Sequence, residues 1–145
     1  MTYHGVETLK AMVKPFMSKP TVLTLGHSNR SIGELISKVQ ENTVSVLVDV
    51  RTQPYSRYCP HFNKNALQRA LEAGNIQYLW KGQNLGGMDV NLDYDKTINE
   101  VVQMAETTTV CILCTEKDYT ACHRHLLLEP SLKKAGAKVK HILWD

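Results

Sequence analysis

Four apolar runs of strand type each end in a dense polar knot, and this constrains the fold more than any other feature of the 145-residue chain. Val22–Gly26 runs into His27-Ser28-Asn29-Arg30, Val44–Val48 into Asp49-Val50-Arg51, and Val110–Leu113 into Cys114-Thr115-Glu116, while Val139–Leu143 carries His141. Where strands alternate with helices, the carboxyl ends of parallel strands lie along one edge of the sheet, and ligands sit in the crevice there. Residues scattered from 27 to 141 are therefore expected to converge on one site.

The segments between these runs read as helices. Ser31-Ile32-Gly33-Glu34 is a capping box, followed by the apolar stripe Ile32, Leu35, Ile36 and Val39 at helical spacing, with Asn42 closing the helix. Asn63 opens the next helix, Leu67, Ala70 and Leu71 line its buried face, and Gly74 is expected to end it in the left-handed conformation. Ile76–Trp80 reads as a short strand, and Leu85-Gly86-Gly87 begins a loop running to about Leu92. Ile98, Val101, Val102 and Ala105 mark a third helix ending near Thr107. Asp118 is placed to cap a last helix running through Cys122 and Leu126–Leu128, kinked or split by Pro130 and ended by Gly136. The expected fold is a single three-layer α/β domain over residues 21–145, a mostly parallel five-stranded sheet with helices on both faces. Residues 1–20 form an N-terminal extension in which Leu9, Met12, Val13, Phe16 and Met17 have the spacing of a packed helix.

Composition narrows the class. Seventeen Lys and Arg against fourteen Asp and Glu leave a net charge of +3, compatible with an anionic ligand but too small to argue nucleic acid alone. No apolar stretch approaches the roughly 20 residues of a membrane span. Lys10, Lys14, Pro15 and Lys19 break up any signal-peptide core, so a cytoplasmic protein with its four cysteines reduced is expected.

The chemistry sits in the knots. His27, Ser28 and Arg30 precede a capped helix start, where backbone N–H groups attract anions. Asp49 and Arg51 share one side of a period-2 strand, and Arg51 and Arg57, with Ser56 beside the latter as a further ligand-binding candidate, place two planar forks on one strand-end loop, suited to phosphate or carboxylate. Cys114-Thr115-Glu116 and Cys122-His123-Arg124 supply thiols, a carboxylate, an imidazole and a cation. A helix start and nearby cations raise the thiolate fraction of a cysteine, which favours Cys122 over Cys114 as nucleophile, with His123, Glu116 or Asp49 moving protons. The bland reading gives Cys114 to the core and leaves Asp49 and Arg51 as a pair bracing their loop. The spacing is neither that of the phosphatase loop, since position 120 is Thr, nor Cys-x-x-Cys, so no thioredoxin-type redox pair is expected. Zinc has candidate ligands in Cys59, His61, Cys114, Cys122, His123 and His141, but no close pair has structural-zinc spacing, and no metal is assigned.

Gly26-His27-Ser28, Val48-Asp49-Val50-Arg51 with Pro54 and Ser56-Arg57, Pro60-His61-Phe62-Asn63, Leu85-Gly86-Gly87, Cys114-Thr115-Glu116, Cys122-His123-Arg124 and His141-Ile142 resemble, in order and spacing, the uncharacterised domain-of-unknown-function family 488. The resemblance covers about residues 21–143. It implies an α/β domain with these residues at a shared site, and it brings no reaction. Two functions fit. One is an enzyme, a thiol-dependent hydrolase or transferase, acting on a phosphorylated or nucleotide-like substrate clamped by Arg51, Arg57 and Arg124. The other is a non-catalytic module binding a nucleotide or nucleic acid through the same arginines with Tyr55 and Tyr58. The Cys-Glu-Cys-His set favours the enzyme.

Overall fold

A computed structural model describes residues 19–87 and 91–145. The helix expected within residues 1–20 and part of the loop after Gly87 lie outside these residues. Five strands form one sheet: β1 (Thr21–Gly26), β2 (Val46–Asp49), β3 (Gln77–Trp80), β4 (Val110–Cys114) and β5 (Lys138–His141). Their spatial order is β3-β2-β4-β1-β5 and every pairing is parallel, as the unbroken apolar runs require.

Alternation along the strands feeds two cores. Val22, Val46, Val48, Val110 and Ile112 face one layer, holding α4 (Tyr94–Thr107), α5 (Glu129–Lys134) and the turn before α5 through Ile98, Val101, Leu132 and Leu128. Leu23, Leu25, Leu47, Cys111 and Leu113 face the other, holding α1 (Ile32–Glu41) and α2 (Lys64–Ala73) through Leu35, Val39, Leu67 and Leu71. The domain is thus the expected α/β arrangement with helices on both faces. Among the described residues, no helix is long and apolar enough to cross a membrane.

The crossovers position the site. Chain leaving β1 and β2 turns to the layer of α1 and α2, whereas chain leaving β4, which lies between them, turns to the other layer. Connections that part in this way leave a crevice outside the carboxyl end of the sheet.

Local details follow the sequence with three exceptions. Ser31 caps α1 in a complete capping box: its hydroxyl accepts from the Glu34 N–H, and the Glu34 carboxylate accepts from the Ser31 N–H. Gly136 follows the end of the last helix, as expected, and takes a positive φ of 102° there. Gly74, expected in the left-handed region, has φ −95° instead, and Asn75 takes the left-handed turn at φ 62°, a conformation asparagine tolerates. The loop predicted from Leu85 is preceded by a short helix, α3 (Gly82–Leu85). The continuous helix expected from Asp118 is also broken. Asp118 caps only a 3₁₀ turn, Tyr119–Ala121, by accepting from the Thr120 N–H, and Cys122 is extended at φ −115° and ψ 149°. A π-helical turn, Arg124–Leu128, then runs into α5. Pro130, with no N–H to give, falls in the first turn of α5, right after the junction at which the π-helical turn gives way to the α-helix, the split expected there.

Candidate active site

At the carboxyl edge of the sheet, hydrogen bonds sort seven of the predicted residues into two groups, His27, Asp49 and Arg51 in one and Cys114, Cys122, His123 and Arg124 in the other. The first lies on the α1–α2 side. Both Asp49 oxygens are engaged. One accepts from Arg51 N–H (3.1 Å) and Nε (2.9 Å), the other from Arg51 Nη2 (2.7 Å) and the Tyr78 hydroxyl (2.5 Å). Asp49 and Arg51 are buried, so this is an ion pair removed from water. Burial opposes the Arg51 charge and Asp49 outweighs it, while burial and the same carboxylate push the Tyr78 phenol up. Trp80 Nε1 donates to the Arg51 carbonyl at 2.8 Å, bracing the loop beneath the pair.

His27 completes this group. Its Nδ1 lies 2.6 Å from the Ser28 carbonyl oxygen, which can only accept, so Nδ1 carries the hydrogen and Nε2 is free to accept from Arg51 Nη1 at 3.4 Å. Phe62 packs its ring against the imidazole at 4.4 Å. Burial lowers the His27 pKa to about 4, with the Arg51 charge adding to the effect. His27 is therefore neutral at physiological pH.

The second group is built on thiols. Cys114, at the end of β4, faces the α4–α5 layer, and Cys122 comes back over it so that the sulfurs lie 2.8 Å apart. Arg124 is fully buried and ties the fold-back together. Its Nη1 donates to Cys114 Sγ (2.8 Å) and to the Glu116 carbonyl (2.5 Å), and its Nη2 donates to the Lys117 carbonyl (3.1 Å). The fold-back needs Gly26, where a Cβ would stand 1.7 Å from the Glu116 carbonyl oxygen. Among the described residues, Arg124 Nε and Thr52 Oγ1 are the buried side-chain polar atoms left without a partner.

His123 stands on the other side of Cys122. Its Nε2 lies 3.1 Å from the Leu85 carbonyl oxygen, which fixes that hydrogen and turns Nδ1 toward Cys122 Sγ at 3.7 Å. Nucleophile, imidazole and orienting acceptor thus form the relay of an activated cysteine. The Cys122 pKa is lowered, first by the hydrogen bond from Cys114 and against burial, then by His123 and Arg124. Cys114 moves the opposite way, because it is the proton donor of the pair and is buried. Cys111, sealed inside β4, is pushed up to about 12 by burial, against the lowering effect of the Arg124 charge.

Backbone hydrogen bonds join the two groups: His27 N–H to the Cys114 carbonyl (2.8 Å), Ser28 N–H to Thr115 (2.9 Å) and Val50 N–H to Leu113 (3.0 Å). The 82–87 segment spans them from the side. Added Cβ atoms on Gly82 and Gly86 would meet the Arg51 carbonyl oxygen at 2.1 Å and Thr52 Oγ1 at 2.2 Å, and one on Gly87 would meet the His123 ring at 2.9 Å. The glycines of Leu85-Gly86-Gly87 are there for close approach.

The remaining predicted residues have other partners. Arg30 turns its guanidinium to Glu34 at 3.2 Å and over the Trp144 ring at 4.8 Å, while its backbone N–H donates to the His27 carbonyl at 3.3 Å. Ser56 Oγ accepts from the Tyr58 and Cys59 N–H groups and braces its turn, and Ser28 Oγ reaches only Asn29 at 3.5 Å. Arg57 is exposed. The exposed Glu116 uses its carboxylate to accept from the Asp118 N–H at 3.0 Å, whereas its carbonyl serves Arg124.

His141 belongs to a third cluster that the sequence reading did not assemble. Its Nε2 lies 2.6 Å from Glu129 Oε1, His125 Nδ1 lies 2.8 Å from the same oxygen, and Thr24 Oγ1 is 2.5 Å from His141 Nδ1. Burial works against the charge on Glu129, but Lys133, His141 and His125 hold its carboxyl at about 2. The i,i+4 spacing of His125 and Glu129 was the available signal.

An all-parallel α/β domain with a thiol–imidazole pair at the carboxyl edge of its sheet is the class that fold and site define. Over residues 31–94 the chain matches the model of the family described as Domain of unknown function DUF488, the family its motifs resemble. The matched span holds Asp49, Arg51, the 54–63 loop and Leu85-Gly86-Gly87, whereas His27, both site thiols and His141 lie outside it. No curated protein and no solved structure matches the chain.

Proposed function

We propose that the protein is a thiol-dependent enzyme, a hydrolase or transferase in which Cys122 is the nucleophile and the substrate is a phosphorylated or nucleotide-like anion. The observation that carries this reading is the pairing of Cys122 with both a thiol donor at 2.8 Å and an imidazole held by the Leu85 carbonyl. A structural cysteine needs neither. In the proposed reaction the Cys122 thiol passes its proton to His123 Nδ1, and the thiolate attacks the electrophilic phosphorus or carbonyl carbon. The bond to the leaving group breaks, and the leaving group takes its proton from His123 Nδ1–H. Water or an acceptor hydroxyl then attacks the cysteinyl intermediate, gives its proton to His123 and releases the thiolate. Cys114 keeps its proton throughout and serves as a hydrogen-bond donor to the sulfur. Asp49 is fully engaged by Arg51 and Tyr78, so in this reading it is a positioning residue, and Arg57 is the arginine free to meet the anion.

Turnover of a panel of phosphorylated metabolites and nucleotides, followed together with the intact mass of the protein, tests this. The native protein is expected to turn over at least one substrate and to carry its adduct on Cys122. Cys122→Ser is expected to lose at least about 10³-fold in rate. Undiminished turnover in Cys122→Ser overturns the assignment. A second reading rests on Tyr55 and Tyr58, which are 63% and 87% exposed on either side of Arg57. Oligonucleotide binding that falls in Tyr58→Ala and Arg57→Ala, with no turnover or adduct across the panel, would establish the binding module instead.

A further inference from the structure

We propose that His125, Glu129 and His141 form a binding site for a divalent transition-metal ion of the zinc type, separate from the thiol group. Two imidazole nitrogens from different elements, the π-helical turn and β5, converge on one carboxylate oxygen, Glu129 Oε1, at 2.8 and 2.6 Å. The three ligand atoms lie within 4.8 Å of one another, and among the described residues this is the one cluster of metal-ligating side chains so arranged. Two histidines and a carboxylate with further positions left to water are a recurrent set for zinc and its neighbours.

The surroundings support a metal over a plain hydrogen-bonded cluster. Lys133 Nζ, the one cation on Glu129, sits on Oε2 at 2.7 Å and leaves Oε1 to the imidazoles. Thr24 Oγ1 holds His141 Nδ1, so Nε2 is the nitrogen offered to the carboxylate, the outer-shell contact that metal-binding histidines usually have. Tyr119 stacks on the His141 ring at 4.1 Å and 9° and meets His125 edge-on at 5.4 Å, fixing both rings. The His125 side chain is 39% exposed, against 9% for His141 and 13% for Glu129, so an ion has an open approach from the His125 side. The π-helical turn sets the stagger between His125 and Glu129, and such turns recur at functional sites.

Because Cys114, Cys122 and His123 are themselves metal-binding side chains, the test uses Co²⁺ as well as Zn²⁺. Untagged full-length protein is dialysed against each ion, bound metal is quantified, and the cobalt spectrum is recorded. The expected result is one ion per chain, with a visible cobalt spectrum lacking the thiolate charge-transfer band. Binding should persist in Cys114→Ser/Cys122→Ser and fall at least about 100-fold in His125→Ala. Thr24→Val, which removes only the outer-shell oxygen, should cost about 10-fold. His125 is part-exposed, and far-UV circular dichroism of His125→Ala checks that its fold is kept. Absence of binding by the native protein overturns the proposal. So does affinity unchanged in His125→Ala, or binding that carries the thiolate band and disappears with the cysteines.

Discussion

The Cys114 and Cys122 sulfurs lie 2.8 Å apart, with the buried Arg124 guanidinium against Cys114 and the His123 imidazole against Cys122. The hydrogen bond between the sulfurs and burial raise the pKa of Cys114, while the same hydrogen bond lowers that of Cys122, so Cys122 is the thiol of the pair that gives up its proton first. Arg124 steadies Cys114 and two loop carbonyls from inside, and the thiolate falls on Cys122, the sulfur with an imidazole beside it. Two neighbouring groups that titrate together in this way behave as one unit.

Limited alkylation reads that unit directly. Cys122, whose pKa the hydrogen bond from Cys114 draws well below the ordinary thiol value, is expected to label at a rate nearly independent of pH between about 6 and 8. In Cys114→Ala the main donor is lost, so the titration moves up toward the ordinary thiol value of about 8.5 and the rate climbs across the same range. Cys111, pushed up to about 12, should stay unlabelled in the native protein, and protonated Cys114 should trail Cys122. Peptide mass spectrometry after a sub-stoichiometric dose distinguishes the sites. A native Cys122 rate that rises about tenfold per pH unit through neutrality would show an ordinary thiol and remove the nucleophile.

The Asp49–Arg51 pair makes a different demand. Breaking a buried ion pair from one side leaves an uncompensated charge and costs about 3–5 kcal/mol, whereas replacing both partners is often close to neutral. Asp49→Asn is therefore expected to destabilise the domain by that amount, and Arg51→Met added to it should recover much of the loss. Glu41→Gln is the reference, since it removes a surface pair, Lys38–Glu41 at 3.6 Å, that contributes less than about 1 kcal/mol. Denaturant unfolding of the four proteins gives the comparison. If Asp49→Asn costs no more than Glu41→Gln, the pair is not the brace that its four hydrogen bonds make it.

Strands and helix caps were legible because their signals are local. Val22–Gly26 is apolar on consecutive residues, and Ser31 meets its Glu34 three residues on, so each element declares itself within a few positions. The strand ends then placed His27, Asp49, Arg51 and Cys114 at one edge by topology alone. What lay hidden depends on how chain segments fold back. Cys122 reaches Cys114 because a 3₁₀ turn and the Gly26 gap bring residues 115–122 over β1 and β4, and no spacing rule announces that. His125 and Glu129 are four residues apart on one helical segment, and only β5 sets His141 beside them. The two arginine forks of the 51–57 loop looked alike in sequence, yet burial gives Arg51 to Asp49 and leaves Arg57 outside.

His27 sets a pH limit on this edge of the fold. Burial holds its pKa at about 4 in the native protein, against 6.5 for an unperturbed histidine. A base whose folded pKa is lowered binds its proton less readily than in the unfolded chain, so acid favours unfolding. Its stabilising contribution is complete above pH 6.5 and is lost as pH falls from 6.5 toward 4, on the order of 3 kcal/mol in all. Protonation would also place a second cation against Arg51 Nη1, 3.4 Å from His27 Nε2. His27→Asn keeps a side-chain N–H for the Ser28 carbonyl but cannot take up the proton. Denaturant unfolding of both proteins from pH 7 to pH 4 should show the native protein losing its advantage over the variant by about that amount. Parallel stability curves for the two would mean that His27 is already charged, or is solvated, in the native state.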